Sequence, residues 1–479
     1  MRLKELLDGA GVVKVCADED FEVSSFRIHS GEVRDGDLFF CMKGRRDDGN
    51  DHLAEVNANF VAVTEKEPST GCAYVLVRDV RRAYALMSEA FWGHPAEGMK
   101  VVAVVGTNGK TSTAHYTASI LTYAGFSVGI VGTEGHYICG EKVGASLTTP
   151  DSFELAELLF KMRTRGVDAV VAEVSAHAIA LEKTAGIRAD IAVFTNLTRD
   201  HLDYFGTFGE YKAVKMSYFS PENVKKAVIN VDDPCGRELL AKAEKEGLPA
   251  VSYGLYCPAD SFAVDVREDM DGVRFVANLS DDLAEVRSSL MGEFNVYNLL
   301  AAMTAAHELG VDGATLTHAV HKVRAVKGRF SVLRNDRGSI VIDYAHTPDG
   351  LEKLLKTART MTKSRLIAVF GCGGERDRGK RALMGAVAER LADLVVITSD
   401  NPRFEDPERI IADVAAGMQG TRFKTFADRT EAIAYALSEM TEGDTVVIAG
   451  KGSEDYLDIR GKRVPYSDFD VAARWGRAR

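Results

Sequence analysis

The sequence predicts an α/β protein of three successive units, and three observations carry that expectation. Five apolar, mostly β-branched residues at 101–105 lead through a glycine turn into a helix-patterned stretch. Strand-like and helix-like segments alternate from 98 to about 328, as in a parallel sheet joined by crossover helices. From about 331 the alternation starts afresh. At 479 residues the chain exceeds one ordinary core, and a prior of about 150 residues per domain makes three units the working number.

Composition narrows the function classes. With 46% hydrophobic and 27% charged residues the chain reads as a soluble globular protein rather than a disordered or fibrous one. A net charge of −11 argues against nonspecific nucleic-acid binding, which needs excess Lys and Arg, so no nucleic-acid partner is expected. The seven cysteines are odd in number and contain no CxxC pair, which predicts reduced thiols rather than a disulfide framework or zinc knuckle. The opening MRLKELLDGAG is charged where a signal peptide needs an apolar stretch, and no run approaches the length of a membrane span. A cytoplasmic protein without membrane attachment is expected, acting as a monomer.

The first unit, 1–97, holds short apolar runs at 37–41, 60–63 and 74–77, as in a small α/β domain. KGRRDDGNDH at 43–52 is rich in charge and glycine. On composition it is a solvated loop, and the functional alternative is a binding loop on a rigid scaffold. HPAEGMK at 94–100 marks the boundary.

The second unit, 98–330, opens with the 101–105 run, which reads as a buried parallel strand. From Thr111 the pattern turns helical, with Tyr116, Ile120, Leu121 and Ala124 at spacings of three and four and Gly125 as the stop. Between them lies Gly106-Thr107-Asn108-Gly109-Lys110-Thr111-Ser112. Unpaired amides of a glycine loop and a helix start converge on an anion, Lys110 adds a point charge, and Thr111 or Ser112 offers a hydroxyl to Mg²⁺. The full GxxxxGK[ST] string is not met, since Val104 stands where its first glycine belongs, and a plain helix-capping turn is the alternative. Further strands are expected at 127–131, 169–174, 191–195 and 227–231. Ligands of open α/β sheets bind beyond the carboxyl ends of strands. Those ends carry Thr148 and Thr149, then Glu173 and Ser175, then the stretch 196–203. Residues 196–215 concentrate Asp200, His201, Asp203 and Lys215. Either they form an exposed acidic loop, or Glu173 and His201 hold Mg²⁺ beside the phosphates.

In the third unit, 331–479, strands are expected at 340–343, 366–370, 394–399 and 445–449, with a helix at 381–391. Glycine-rich GCGGERDRGK (371–380) and GKGSED (450–455) follow two strands, and SDNPRFEDP (399–407) follows a third. The pattern is Rossmann-like, although GxGxxG is absent.

These motifs resemble those of the Mur ligase family along nearly the whole chain. The resemblance rests on GTNGKTS (106–112), TTP (148–150), EVSAHA (173–178), NLTRDHLDYFG (196–206), NVYNLLAA (295–302), GRF (328–330) and DYAHTPD (343–349), in the family's order. GCGGERDRGKR and DNPR are similar to the members that add meso-diaminopimelate as third residue of the peptidoglycan stem peptide; lysine-adding relatives carry a different tetrad. The resemblance implies a small N-terminal domain binding a uridine-diphosphate sugar, a central ATP-binding domain and a C-terminal amino-acid-binding domain. It also implies ligation of meso-diaminopimelate to UDP-N-acetylmuramoyl-L-alanyl-D-glutamate with ATP as cosubstrate and Mg²⁺ as cofactor.

The same resemblance assigns residues. It implies Lys110 and the loop amides on the ATP phosphates, Thr111 and Glu173 on one Mg²⁺, His201 on a second, and Lys215 as a carbamylated lysine. Asn298, Arg329 and Asp343 match ATP contacts. Ser30 and the loop Arg45, Arg46 and Asp47 match the uridine-diphosphate site. Thr148, Thr149, Ser175 and Lys183 match the dipeptide site, and Arg376, Asp400, Asn401, Pro402, Arg403, Gly450 and Glu454 the amino-acid site. Diaminopimelate carries one more carboxylate than lysine, and arginine binds a carboxylate through two parallel hydrogen bonds, so Arg403 is the expected selector, with Glu454 facing an ammonium. As an isolated residue Arg403 reads as a surface ion pair. Departures from the family pattern are Ala103 and Val104 before the loop, Lys183 for arginine, Ser453 for histidine and Ala176 for serine. Competing readings are ligation of lysine or another amino acid, a folylpolyglutamate synthetase, a P-loop phosphotransferase or switch without ligation, and a nucleotide-sugar sensor.

Overall fold

A computed structural model describes residues 1–44, 47–144, 147–269, 271–280 and 282–477. Three larger sheets carry the chain in succession, and a two-stranded ribbon completes it. In the first, Val12–Cys16, Tyr74–Val77, Val61–Thr64, Asp37–Phe40 and Ser25–Arg27 lie side by side in that order, parallel except at the Val12–Cys16 edge. Its three inner strands are the three apolar runs read from the sequence. The two edge strands are short or half exposed and gave no comparable apolar run. Helix Val80–Phe91, capped by the Asp79 carboxylate on the amides of Arg81 and Arg82, covers this sheet through Ala83, Tyr84 and Met87.

That helix also buries Glu89, whose Oε1 has no hydrogen-bond partner. Burial, reinforced by Glu97 and only partly opposed by Arg163, pushes its carboxyl from 4.5 up to about 7. Between those two values the folded protein holds a proton that the unfolded chain releases. The stability this confers is fully present below 4.5 and is lost as pH rises through 7. Wild type is therefore expected to lose on the order of 3 kcal/mol between pH 4.5 and 8 from this group, and Glu89→Gln to lose none of it. Denaturant midpoints at several pH values check this, and identical pH slopes for the two proteins would refute it.

The central sheet has eleven strands. Its parallel core runs Val128–Gly132, Ala169–Glu173, Lys100–Val105, Ala189–Phe194, Val224–Asn230 and Ala250–Gly254. Both ends depart from the all-parallel expectation. Gly135–Ile138 and Glu141–Gly144 fold back as an antiparallel hairpin, and Ser261–Asp269, Gly272–Leu279 and Asp282–Ser288 form an antiparallel meander at the far edge. The meander had a signal in the sequence: Val273, Phe275, Ala277 and Leu279 alternate with more exposed residues and are all buried, as one-faced antiparallel strands require. Helix Lys110–Tyr123 begins within one residue of its expected start and ends just before Gly125, whose φ is +97°. It packs on helix Glu293–His307, the Tyr116 hydroxyl hydrogen-bonded to Asn295 Oδ1 at 3.0 Å.

The third sheet orders Ser331–Arg334, Gly338–Asp343, Asp444–Ala449, Leu366–Cys372, Leu394–Ser399 and Phe423–Phe426, parallel beyond its first pair. The α/β class, its parallel sheets and the renewed alternation are as the sequence predicts. Tyr456–Ile459 and Lys462–Pro465 form the separate ribbon against which Arg403 is bridged.

Candidate active site

The site grows from the middle of the central sheet. Lys100–Val105 lies between Ala169–Glu173 and Ala189–Phe194, with Val104 opposite Glu173 and Val105 opposite Phe194, so the glycine loop, Glu173 and the 195–201 segment leave the sheet at one edge. Two glycines are required by close approach. A Cβ on Gly106 would lie 1.9 Å from Thr195 Oγ1, and one on Gly109, at φ +84°, would lie 2.6 Å from Asn298 Oδ1. The loop is strapped down: Thr195 Oγ1 donates to Asn108 O at 2.7 Å and Asn108 N to Asn196 Oδ1 at 3.0 Å, while Thr107 Oγ1 meets the Tyr211 hydroxyl at 3.1 Å. This rigid arrangement presents the start of helix Lys110–Tyr123 to an anion. Lys110 Nζ lies over its own loop, donating to Gly106 O and Thr107 O at 3.0 and 2.9 Å. Ser112 and Asn298 complete the lining on this side.

Glu173 is wholly buried, and the donors that reach it are two hydroxyls and an amide: Thr111 Oγ1 at 2.9 Å, Thr133 N at 2.8 Å and Thr133 Oγ1 at 3.1 Å. Burial pushes Lys110 down and pushes Lys215 well down, the latter helped by Lys110 itself, so both ammoniums are destabilised. Lys215 donates to Gly106 O and stands 4.7 Å from the Tyr211 ring centre. Burial lowers His201 to about 3 in spite of Asp200, leaving a neutral imidazole packed edge-on to His177.

Asp200 is a residue to which the sequence reading gave no separate role. Burial would raise its carboxyl, but His346, Lys380 and His201 outweigh that and hold it well below the usual range. His346 Nε2 and Lys380 Nζ, both from the third unit, each stand 3.6 Å from it. Both belong to stretches already singled out, DYAHTPD and GCGGERDRGK, so the signal lay in the motifs but the pairing did not.

Arg329 and Asp343 sit at the passage between the second and third units. Arg329 Nη2 donates to Thr111 Oγ1 at 3.2 Å, its guanidinium lies 4.1 Å from the Tyr344 ring centre, and its Nε is buried without a partner, a donor suited to an anion. Burial raises Asp343, whose two oxygens accept from Phe330 N at 2.6 Å and Ala345 N at 2.7 Å. These bonds fix the connecting backbone, and Asp343 also lines the shared cavity.

Of the residues expected at the dipeptide, Thr148 meets Thr133 Oγ1 at 3.0 Å, Thr149 Oγ1 donates to Glu173 O at 2.8 Å, Ser175 caps helix Ala176–Ala180, and Lys183 pairs with Asp151 at 2.7 Å. Ser30 opens the short turn Ser30–Glu32 and Asp47 pairs with His52 at 2.8 Å; both lie off the lining of the shared cavity. Arg45 and Arg46 lie outside the described residues.

On the third unit, Arg403 takes φ +51° and donates from Nη1 to Gly374 O at 2.6 Å. Asn401 Nδ2 donates to Glu454 Oε2 at 3.0 Å. The ammonium facing Glu454 here is the protein's own Lys451, fully buried, 2.9 Å from Glu454, 3.1 Å from Asn401 Oδ1 and 3.6 Å from Asp400. The sequence reading missed Lys451, although it lies inside GKGSED. Pro402 and Gly106 shape their loops from behind and do not line the cavity. The cavity itself, about 1130 Å³, collects Lys110, Glu173, Thr148, Lys183, His201, Lys215, Arg329, Arg376, Asp400, Arg403, Gly450 and Glu454 on one continuous wall.

The donor set suits a hard cation. A buried carboxylate flanked by threonine hydroxyls, with a neutral imidazole nearby, offers the oxygen-rich environment Mg²⁺ prefers. Among the described residues no three His, Cys, Asp or Glu side chains cluster closely enough to cage a metal by themselves, so phosphate oxygens and water would have to complete its shell.

Comparison with known proteins agrees with this geometry. Residues 104–306 match the Mur ligase middle domain and 328–452 the Mur ligase, glutamate ligase domain. The chain is 38% identical over 488 residues to UDP-N-acetylmuramoyl-L-alanyl-D-glutamate--2,6-diaminopimelate ligase of Bacillus velezensis, covering 99% of this chain and 98% of that protein. It is 39% identical over 453 residues to the protein of the same name from Aquifex aeolicus, covering 94% and 92%. A solved structure of a ligase of that name superposes with a TM-score of 0.70 at 32% identity, covering 100% of this chain and 99% of that one. A glycine loop, a buried carboxylate beside it and polar side chains of the third unit meet across one cavity, and these matches over nearly its whole length show that the chain belongs to the Mur ligase family.

Proposed function

We propose that this protein is an ATP-dependent, ADP-forming ligase that joins meso-diaminopimelate to the D-glutamate of UDP-N-acetylmuramoyl-L-alanyl-D-glutamate in peptidoglycan synthesis. One observation carries the reading: Lys110 of the phosphate loop, Thr148 and Lys183 of the dipeptide side, and Arg403 and Glu454 of the third unit face a single cavity. The three units are taken as 1–97, 98–330 and 331–479, binding the uridine-diphosphate sugar through Ser30 and the 45–47 loop, ATP, and the amino acid respectively. The enzyme works on small molecules as a cytoplasmic monomer; among the described residues no helix is long and apolar enough to cross a membrane.

A carboxylate is a poor acyl donor at neutral pH. The D-glutamate carboxylate attacks the γ-phosphorus of ATP, ADP leaves, and the acyl phosphate so formed is attacked at carbon by the amine, which loses a proton as phosphate departs. The protein contributes positioning and charge compensation. Lys110 and the loop amides hold the β- and γ-phosphates, with Arg329 Nε aimed at the same charge. Mg²⁺, with Thr111 and Glu173 as ligands and His201 toward a second ion, would supply neutralisation of the phosphate oxygens. Lys215, its ammonium disfavoured by burial and by Lys110, presents the neutral amine that attacks the carbon of CO₂ and releases a proton to water to become an anionic carbamate. Asp400, Asn401 and Glu454 line the cavity for the amino acid together with Arg376 and Arg403, and the buried Lys451 supports them from behind.

Phosphate release with the UDP-linked dipeptide tests this. Wild type is expected to respond to meso-diaminopimelate and hardly to L-lysine. Arg403→Ala is expected to lose about a hundredfold in kcat/KM for diaminopimelate, roughly 3 kcal/mol, with the KM for ATP little changed. Phosphate release without any acceptor would refute ligation, and equal use of both amino acids by wild type would refute the role of Arg403.

A further inference from the structure

The segment that carries Asp200 and His201 also reaches the third unit through Arg199. Arg199 Nε and Nη2 donate to Asp377 Oδ2 and Oδ1 at 2.8 and 3.0 Å, a parallel two-bond fork between residues 178 positions apart. Asp377 is nearly buried while Arg199 is half exposed, so the pair spans the boundary and belongs to neither core. Its seat is made by Gly379, the first residue of helix Gly379–Leu391: a Cβ there would lie 2.3 Å from Arg199 Nη2. A side chain at 379 would therefore make the guanidinium shift out of its place on Asp377. One residue on from Arg199 and three on from Asp377 a second ion pair crosses the same boundary, Asp200 meeting Lys380 at 3.6 Å. Next to Asp377, Arg376 lines the cavity on the amino-acid side, and close to Arg199, His201 lines it on the phosphate side.

We propose that the Arg199–Asp377 pair is a clasp that seats the Arg376 loop against the phosphate side of the cavity, making Arg199 a positioning residue for the incoming amino acid. The inference rests on the ligase reading above. A bidentate charged pair resists sliding as well as separation, which is what holding two loops in register across a unit boundary demands.

Arg199→Ala and Gly379→Ala are each expected to raise the KM for meso-diaminopimelate about tenfold, with the KM for ATP within about twofold of wild type, since both remove one charge-assisted fork. Because they remove the same contact, the double variant is expected to be no worse than either alone, and Arg199→Lys to fall between wild type and Arg199→Ala. Gly379→Ala keeps the helix, so a folding failure does not mimic the result. Fully additive effects, or equal rises in both KM values, would overturn the clasp. Small-angle scattering with β,γ-methylene ATP reads it independently of turnover. Both alanine variants are expected to be more extended than wild type, and superimposable curves would overturn the clasp. A wild type that forms no amino-acid-dependent phosphate would count against the ligase reading, and scattering would still decide the clasp.

Discussion

Lys110→Ala is expected to reduce ATP-dependent phosphate release by about 10²–10³-fold or more, chiefly in kcat, because the lost charge acts where negative charge develops during phosphoryl transfer. The geometry explains why no neighbour substitutes for it. Its Nζ is held on the loop carbonyls of Gly106 and Thr107, and Lys215, the other lysine at this loop, is already engaged on the Gly106 carbonyl. Lys110→Arg should also fail, because a planar fork does not reproduce the compact ammonium that donates to the Gly106 and Thr107 carbonyls. The check is single-turnover phosphate release at saturating ATP. A Lys110→Ala variant within tenfold of wild type would show that the loop is a capping turn and that phosphate transfer occurs elsewhere.

The second large effect is expected at Lys215. If its neutral amine takes up CO₂, Lys215→Ala loses activity by about 10²-fold or more, and wild type stripped of bicarbonate at mildly acidic pH loses activity that bicarbonate restores. The sign follows from the lowered basicity of the amine: it is unprotonated, and therefore reactive with CO₂, at pH values where an exposed lysine is not. Labelling with ¹³C-bicarbonate should give one carbamate resonance in wild type and none in Lys215→Ala. Full activity of wild type in CO₂-free buffer, with no such resonance, would leave Lys215 as a structural lysine on the Gly106 carbonyl.

How far the site was legible depended on the distance over which its residues act. The 100–125 stretch was readable because strand, loop and helix are neighbours in sequence, and the apolar periodicity and Gly125 marked its limits. Glu173 and the 196–201 loop were readable as ends of strands flanking the phosphate loop. The antiparallel meander was not among the expected strands, although Val273, Phe275, Ala277 and Leu279 alternate with more exposed residues as a one-faced strand requires. Asp200, Lys380, His346 and Lys451 lay inside motifs that were recognised, yet nothing local says which charges meet.

By itself the sequence determined the α/β class, the succession of parallel sheets, the phosphate loop and the family, because propensity, hydrophobic period and short motifs act over a few residues and are written where they act. Only the tertiary structure decided that Lys451 pairs with Glu454, that Asp200 gathers His346 and Lys380, and that Arg199 grips Asp377 beside Gly379. The physical reason is that a buried charge takes its partner from whatever the folded backbone brings within a few ångströms, and that proximity is a property of how the sheets dock, which no local stretch of chain encodes.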